Sequence, residues 1–291
     1  MKQTVHKPVT LGWLTQKVLE LLEDTNLENA ANESRWIVSE TVHCSVSDLI
    51  VHRDRVVTSE LCDLVLERAR RRHSGEPLAY ILENIDFRGL SFFVDQRVLI
   101  PRPETEGLVQ LVVERIEQAR PMRCLEVGVG SGCIAISILH ECPNTTFVGT
   151  DISSDALRVC RVNAEALGVD MRLSLIQCPE MSQVEGQKFS WIVSNPPYIA
   201  YDDDRVEESV RSWEPEVALF AARQGLGIIE KIVEDARELL EPDGRLLLEH
   251  GDTQGPEVRR MCVNAGMSTR AHLDCFGRSR FVEAWFEFDG P

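Results

Sequence analysis

Residues Leu125-Glu126-Val127-Gly128-Val129-Gly130-Ser131-Gly132 decide the fold. The apolar run from Cys124 to Val127 reads as a buried strand, and Cys133 to His140 reads as a helix. The glycines between them permit a tight turn and a close approach of ligand to backbone. A dinucleotide fingerprint, G-x-G-x-x-G, would need a glycine where Cys133 stands, so G-x-G-x-G fits a different nucleoside ligand. A glycine turn alone is equally a packing device. Asp151 adds to it by closing the next apolar run, Thr146 to Thr150, where a carboxylate can accept from both ribose hydroxyls.

Outward from this core the two periods alternate. Ser154 to Leu167 reads as a helix, Met171 to Ile176 and Phe189 to Ser194 as strands, Gly225 to Leu240 as an amphipathic helix, and Arg245 to Glu249 as a strand. Such alternation implies an α/β domain with a mainly parallel sheet and helices on both faces. Thr269 to Leu273 and Phe281 to Phe288 have no helix between them, which implies an antiparallel pair at the sheet edge.

Upstream, Leu11, Leu14, Val18, Leu21 and Leu22 share one helical face, with Thr10 able to cap. Ala30, Ala31, Ser34, Ile37, Val38, Thr41 and Val42 form a second stripe in a helix over Leu27 to Val46. A third helix follows Thr58, carries Leu61, Leu64, Val65 and Ala69, and ends in a basic run, Arg68 to His73. That run is either a last turn that complements the helix dipole or a patch that docks a partner. Phe87, Leu90, Phe92 and Val94 around Arg88-Gly89 suggest a hairpin. The stiff segment Ile100 to Glu106 then opens a helix over Thr105 to Ala119, with Leu108, Leu111, Val112 and Ile116 inward. The expected division is a small all-α domain at 1–84, a hairpin and linker at 85–104, and the α/β domain at 105–291.

Composition narrows the function. The chain has 291 residues, 47 acidic against 31 basic, for a net charge of −16. Before Ile85 there are 10 basic and 13 acidic residues, leaving 21 and 34 after it. Bulk electrostatics therefore does not hold nucleic acid. Val127 to His140, the charge-free stretch between Glu126 and Glu141, is too short to span a bilayer. Met1 to Thr15 shows no apolar signal region, so a cytoplasmic protein with no membrane partner is expected. The nine cysteines include no C-x-x-C, and Cys124, Cys133 and Cys142 stand nine apart, unlike common zinc spacings. Reduced, mostly buried thiols and no metal site are expected.

Asn195-Pro196-Pro197-Tyr198 ends the strand Phe189 to Ser194 in a rigid turn. Neither proline donates a hydrogen bond, so the turn offers acceptors: the Asn195 side-chain oxygen and the Pro196 carbonyl. Two fixed acceptors suit an incoming planar –NH₂ group, and Tyr198 can stack on its plane. A strand-terminating proline turn is the plain alternative, and it requires neither the asparagine nor the tyrosine.

With these motifs the chain resembles the HemK-type protein-(glutamine-N5) methyltransferases over nearly its whole length. Gly75 to Leu82 is similar to that family's inter-domain segment, and Phe87 to Phe92 to its hairpin. Leu99-Ile100-Pro101-Arg102-Pro103-Glu104-Thr105-Glu106 is similar to its most characteristic stretch. The resemblance implies a Rossmann-like class I S-adenosylmethionine-dependent methyltransferase fold behind a small helical domain that docks substrate. It implies methyl transfer from S-adenosyl-L-methionine to the glutamine of the Gly-Gly-Gln motif in class I peptide chain release factors. Asn195, Pro196 and Tyr198 would be catalytic, with Pro197 and Arg102 as further substrate contacts. Gly128, Val129, Gly130, Ser131, Gly132, Asp151 and Asn195 would hold the cofactor. Pro179 and Glu180 stand where relatives commonly carry an acidic and then an aromatic residue, and Glu180 is expected to accept from the adenine amine. Ala221, Ala222 and Arg223 replace a common Gly-Gly pair. Readings from other classes are a ribosomal-protein glutamine or nucleic-acid adenine as substrate, or a non-catalytic cofactor-binding module.

Overall fold

The apolar stripes of the N-terminal segment meet one another in the computed structural model, which describes residues 8–23, 29–116, 120–179 and 181–287. The chain divides into two compact units, Met1–Glu83 and Asn84–Pro291. The first holds α1 (Leu11–Glu23), α2 (Ala30–Val42), α3 (Asp48–Val51), α4 (Ser59–His73) and α5 (Leu78–Leu82). Leu11, Leu14, Val18 and Leu22 pack in one cluster with Ile37, Val38, Val65 and Ala69. Thr58 caps α4 by accepting from the Leu61 N–H. α2 stops at Val42, short of the expected Val46, because His43 turns left-handed (φ 52°) and donates to the Ser39 carbonyl. Ala31 is exposed, and the buried stripe of α4 is Cys62, Val65 and Ala69 rather than one containing Leu64.

The basic run at the end of α4 is engaged internally. Arg72 forks onto Glu33 of α2 at 2.5 and 3.1 Å, and Arg71 onto Glu76 at 2.8 and 2.6 Å. Arg68 donates to the Thr41 hydroxyl at 2.9 Å. Arg68 and Arg72 thus fasten α4 to α2, Arg71 closes the turn after α4, and Arg70 is exposed.

In the second unit β1 (Ile85–Phe87) and β2 (Leu90–Phe92) form the hairpin. Arg88 and Gly89 both take positive φ, as a two-residue turn matched to strand twist requires. Phe87 and Phe92 meet edge to face and are buried in the larger core. A 3₁₀ turn, Pro103–Thr105, leads into α6 (Glu106–Val113), whose regular part is shorter than expected; residues 117–119 lie outside the described residues. Leu108, Val112 and Ile116 are buried as expected, and Leu111 half-buried. Glu106 accepts from the Arg88 N–H, so the acidic residue at the helix start also anchors the hairpin.

There follow β3 (Met122–Val127), α7 (Cys133–Glu141), β4 (Thr145–Asp151), α8 (Ser154–Ala166), β5 (Leu173–Gln177) and β6 (Phe189–Ser194). The chain continues through α9 (Glu208–Trp213), α10 (Glu216–Leu219), α11 (Gly227–Leu239), β7 (Leu240–Glu249), α12 (Gly255–Asn264), β8 (Ser268–Leu273) and β9 (Ser279–Trp285). Seven strands order as β5-β4-β3-β6-β7-β9-β8. The first five are parallel, and β9 inserts antiparallel between β7 and β8, giving the expected antiparallel end. One face packs on α6, α7 and the hairpin, the other on α11 and α12. α12 was not anticipated: Val258 and Cys262 are its buried stripe, too few apolar positions to announce a helix.

Cys44 is half-buried and Cys275 exposed, while the other cysteines are buried free thiols. Among the described residues no helix is long and apolar enough to cross a membrane.

Removing the Arg72 fork tests the structural reading of the basic run. Arg72→Ala should lower the stability of the helical unit by about 1.5–3 kcal/mol, the scale of hydrogen bonds to a charged group. Urea unfolding measures this, and unchanged stability would return Arg72 to the solvent.

Candidate active site

β3 pairs with β4 on one side and β6 on the other, so the chains leaving their C-terminal ends diverge and open a crevice. The glycine loop leaves β3, Asp151 ends β4, and Asn195 follows β6. Gly128 and Val129 both donate to the Thr150 carbonyl, at 2.8 and 2.9 Å, which ties the loop to β4. Asp151 is fixed by backbone groups: Gly130 N–H donates to one carboxylate oxygen at 3.0 Å and Ser153 N–H to the other at 2.9 Å. Burial raises its pKa above the ordinary value despite these donors. Glu126, deeper on β3, is 1% exposed and accepts from the Ala135 N–H at the start of α7. Burial raises its carboxyl well above the usual range, with the Asp151 charge adding to the effect.

These residues line a cavity of about 250 Å³ that includes Gly128, Val129, Gly130, Ser131, Asp151, Thr105, Asn195 and Pro197. A more open groove of about 1060 Å³ is lined by Pro196, Tyr198, Asp202 and Arg280. Asn195 and Arg102 line both. Arg102 is held by Glu214, at 2.5 Å, whose other oxygen accepts from the Ile100 N–H. Asn195 donates its side-chain N–H to the Thr105 hydroxyl at 3.2 Å. Pro179 lines the cavity, whereas Glu180 lies outside the described residues.

Residues 14–82 match the family model of the PrmC N-terminal domain, and residues 107–211 that of the Methyltransferase small domain. The release factor glutamine methyltransferase of Lactococcus lactis subsp. lactis (strain IL1403) is 38% identical over 240 residues, 81% of this chain and 87% of that protein. That of Geobacter sulfurreducens (strain ATCC 51573 / DSM 12127 / PCA) is 35% identical over 269 residues, 91% of this chain and 92% of its own. The chain belongs to the release factor glutamine methyltransferase family. A solved methyltransferase from Pyrococcus furiosus shares the fold, with a TM-score of 0.53 at 17% identity over 76% of this chain and 98% of that one.

Several residues that build this methyltransferase site gave no local signal. Asn163 on α8 is 2% exposed and clamps two segments. Its amide donates to the Phe93 and Ser131 carbonyls and accepts from the Phe93 N–H. Gln254 donates to the Tyr198 carbonyl at 2.9 Å, pinning the exit of the proline turn. Gly225, at φ +84°, packs so closely behind that turn that a Cβ would sit 2.0 Å from the Tyr198 oxygen. Thr105 and Glu249 are buried beside Asn195, and within Pro-Arg-Pro-Glu-Thr-Glu the threonine read only as a helix start.

The glycines of the loop differ in what they require. An added Cβ at Gly128 or Gly130 meets nothing within 4 Å, whereas one at Gly132 would lie 2.6 Å from both Cys160 Sγ and Ile136 Cδ1. Gly132 does not line the cavity; it lets α7 start against α8. Gly132→Ala should therefore cost about 2–4 kcal/mol, combining left-handed strain with overpacking, and Gly128→Ala only about 1–2. Parallel denaturant unfolding of the two variants checks the order, and equal losses would refute the packing role.

Proposed function

We propose that the chain transfers a methyl group from S-adenosylmethionine to the side-chain amide nitrogen (N5) of the glutamine in the Gly-Gly-Gln motif of class I release factors. The observation that carries this reading is Asn195, which lines both the nucleoside-sized cavity and the open groove. The cavity suits the cofactor. Gly128 and Gly130 present space where side chains would otherwise project, and Asp151 keeps oxygen lone pairs for ribose hydroxyls while its orientation is set by backbone N–H groups. Val129, Ser131 and Pro179 complete the lining we assign to it. When bound, S-adenosylmethionine supplies an electrophilic methyl group on a cationic sulfur.

An amide nitrogen is a weak nucleophile because its lone pair is delocalised into the carbonyl. The Asn195 side-chain oxygen and the Pro196 carbonyl accept from its two N–H bonds and stabilise the positive charge that develops there. Tyr198 and Pro197 flank the amide plane, and Arg102, braced by Glu214, contacts the substrate chain in the groove. Holding the nitrogen in line with the methyl group supplies much of the remaining acceleration.

The net charge of −16 disfavours adenine in nucleic acid as the substrate. Translation termination places the activity in the cytoplasm, and the helical unit serves to orient the release factor. Mass spectrometry of candidate release factors after incubation with cofactor should show one methyl on the motif glutamine. Methyl incorporation into nucleic acid or a ribosomal protein instead would overturn the reading. Deleting residues 1–84 should spare binding of S-adenosylhomocysteine and depress kcat/KM on whole release factor; full activity of the folded remainder would remove the docking role.

Two variants separate the two halves of the site. Asp151→Ala should weaken S-adenosylhomocysteine binding by about 1.5–3 kcal/mol in calorimetry. Asn195→Ala should lose about 10²–10³ in kcat and far less in that affinity. Turnover of the second near wild type would reduce the Asn-Pro-Pro-Tyr quartet to a structural turn.

A further inference from the structure

Gln254 stands at the N-cap of α12, shortly after β7 ends. Gln254 and Gly251 exchange two hydrogen bonds. The Gln254 N–H donates to the Gly251 carbonyl and the Gly251 N–H to Gln254 Oε1, both at 2.9 Å. With Oε1 committed as an acceptor, the –NH₂ of the carboxamide points the other way. Nε2 donates to the Tyr198 carbonyl at 2.9 Å and to the Gln224 carbonyl at 3.1 Å. Both ends of the group thus have partners of the right sense. Exchanging oxygen for nitrogen would set donor against donor and acceptor against acceptor.

Three segments distant in sequence meet at this one side chain. The turn at Gln224 is strained: Arg223 and Gln224 both take φ 56°, in the left-handed region that non-glycine residues seldom enter. Gly225 follows at φ 84° and packs behind the Tyr198 carbonyl. From the β7 side, Gly251 approaches the tyrosine ring: a Cβ there would stand 3.6 Å from Tyr198 Cδ2 and 3.0 Å from Gln254 Oε1. Tyr198 is therefore seated by its ring against Gly251 and by its carbonyl against Gly225, and Gln254 ties that seat together. Tyr198, Gln224, Gly251 and Gln254 line the open groove and not the cofactor cavity.

We propose that Gln254 is a positioning residue for methyl transfer, fixing where Tyr198 stands against the substrate amide and acting on the substrate half of the site alone. The inference rests on Tyr198 flanking the amide plane as assigned above, and it gives that side chain its support. A Tyr198 free to shift leaves the amide plane unheld on one side. Lost alignment of nitrogen and methyl falls on turnover, whereas a whole protein substrate keeps its other contacts.

The test uses the full chain, whole release factor and S-adenosylhomocysteine. Gln254→Met keeps the length of the side chain and removes its three hydrogen bonds. Its kcat should fall about 10–100-fold, the scale of a small misplacement at the reacting atoms, with KM changed far less. Its calorimetric affinity for S-adenosylhomocysteine should stay within about threefold, less than one hydrogen bond is worth. Gln254→Glu keeps the shape and the bond from Gly251 but turns an oxygen toward two carbonyls. It should be as slow as Gln254→Met at alkaline pH and regain part of kcat, relative to the unaltered protein, as pH falls and a protonated carboxyl donates to one of them. In protein carrying ¹³C in its tyrosine rings, the Tyr198 signal, assigned by its loss in Tyr198→Phe, should move in Gln254→Met while that of Tyr80 in the helical unit stays. Wild-type kcat in Gln254→Met beside an inactive Tyr198→Ala overturns the positioning role alone, whereas full turnover of Tyr198→Ala overturns the reading beneath it. An affinity for S-adenosylhomocysteine that falls as far as kcat also overturns the positioning role, because the lesion is then general. Should Gln254→Met lose its thermal unfolding transition, Gln254→Glu decides, and wild-type turnover of that variant at every pH overturns the proposal.

Discussion

β3 hydrogen-bonds to β4 through Leu125 opposite Val148 and to β6 through Leu125 opposite Ile192. That double parallel pairing places two turns distant in sequence, at Gly128 and Asn195, on one edge of the sheet. The Ser194 hydroxyl reinforces it by donating to the Val127 carbonyl at 2.6 Å, with both groups buried. Because a parallel sheet carries all its connections from C-terminal edge to N-terminal edge, every loop that could hold a ligand emerges on the same side. The site is thus a consequence of strand order before it is a matter of particular side chains. The helices add rigidity: Asn163 of α8 grips the glycine loop, and Gln254, at the start of α12, grips the proline turn.

Three acids stand at or near the C-terminal ends of parallel strands: Glu126 on β3, Asp151 on β4 and Glu249 on β7. Burial raises the pKa of each. They differ in what opposes that cost. Asp151 takes two backbone N–H groups, Glu126 takes one, and Glu249 has the nearby Arg280 charge. Glu249 is the acid with an oxygen left unpartnered.

The α/β core was legible because strand and helix periods differ sharply between Cys124 and Leu240, and Phe189–Ser194 emerged with its expected ends. The Arg88-Gly89 turn was legible for a similar reason, since a two-residue hairpin demands positive φ at both positions. α12 escaped because two buried side chains do not make a period. The basic run at Arg68 to Arg72 left two readings open because sequence shows charge without showing its partner. Glu33 lies 39 residues from Arg72, and only folding brings them together. Asn163 and Thr105 were invisible for the same physical reason: a polar residue that braces a site across the fold has no local pattern, and its neighbours become known only with its burial.

The proline pair explains why such bracing matters most at Asn195. Pro196 and Pro197 have fixed φ, so the Pro196 carbonyl is directed by covalent geometry and by the backbone on either side. Downstream, Ile199 N–H bonds the Leu219 carbonyl and Ala221 N–H bonds the Ile199 carbonyl, which holds the exit of the turn as firmly as its entry. One acceptor is therefore positioned without help. The other ends in a carboxamide whose last torsion is broad and twofold, with two orientations of nearly the same shape and opposite hydrogen-bonding sense. Packing cannot distinguish an oxygen from an –NH₂ of that size. Only a polar partner can, and the Thr105 hydroxyl, which accepts from the Asn195 –NH₂, is the one that the fold places there. A rigid turn that presents two acceptors thus needs one polar contact more than its backbone supplies, and that contact comes from the segment Pro101 to Glu106, outside the turn itself.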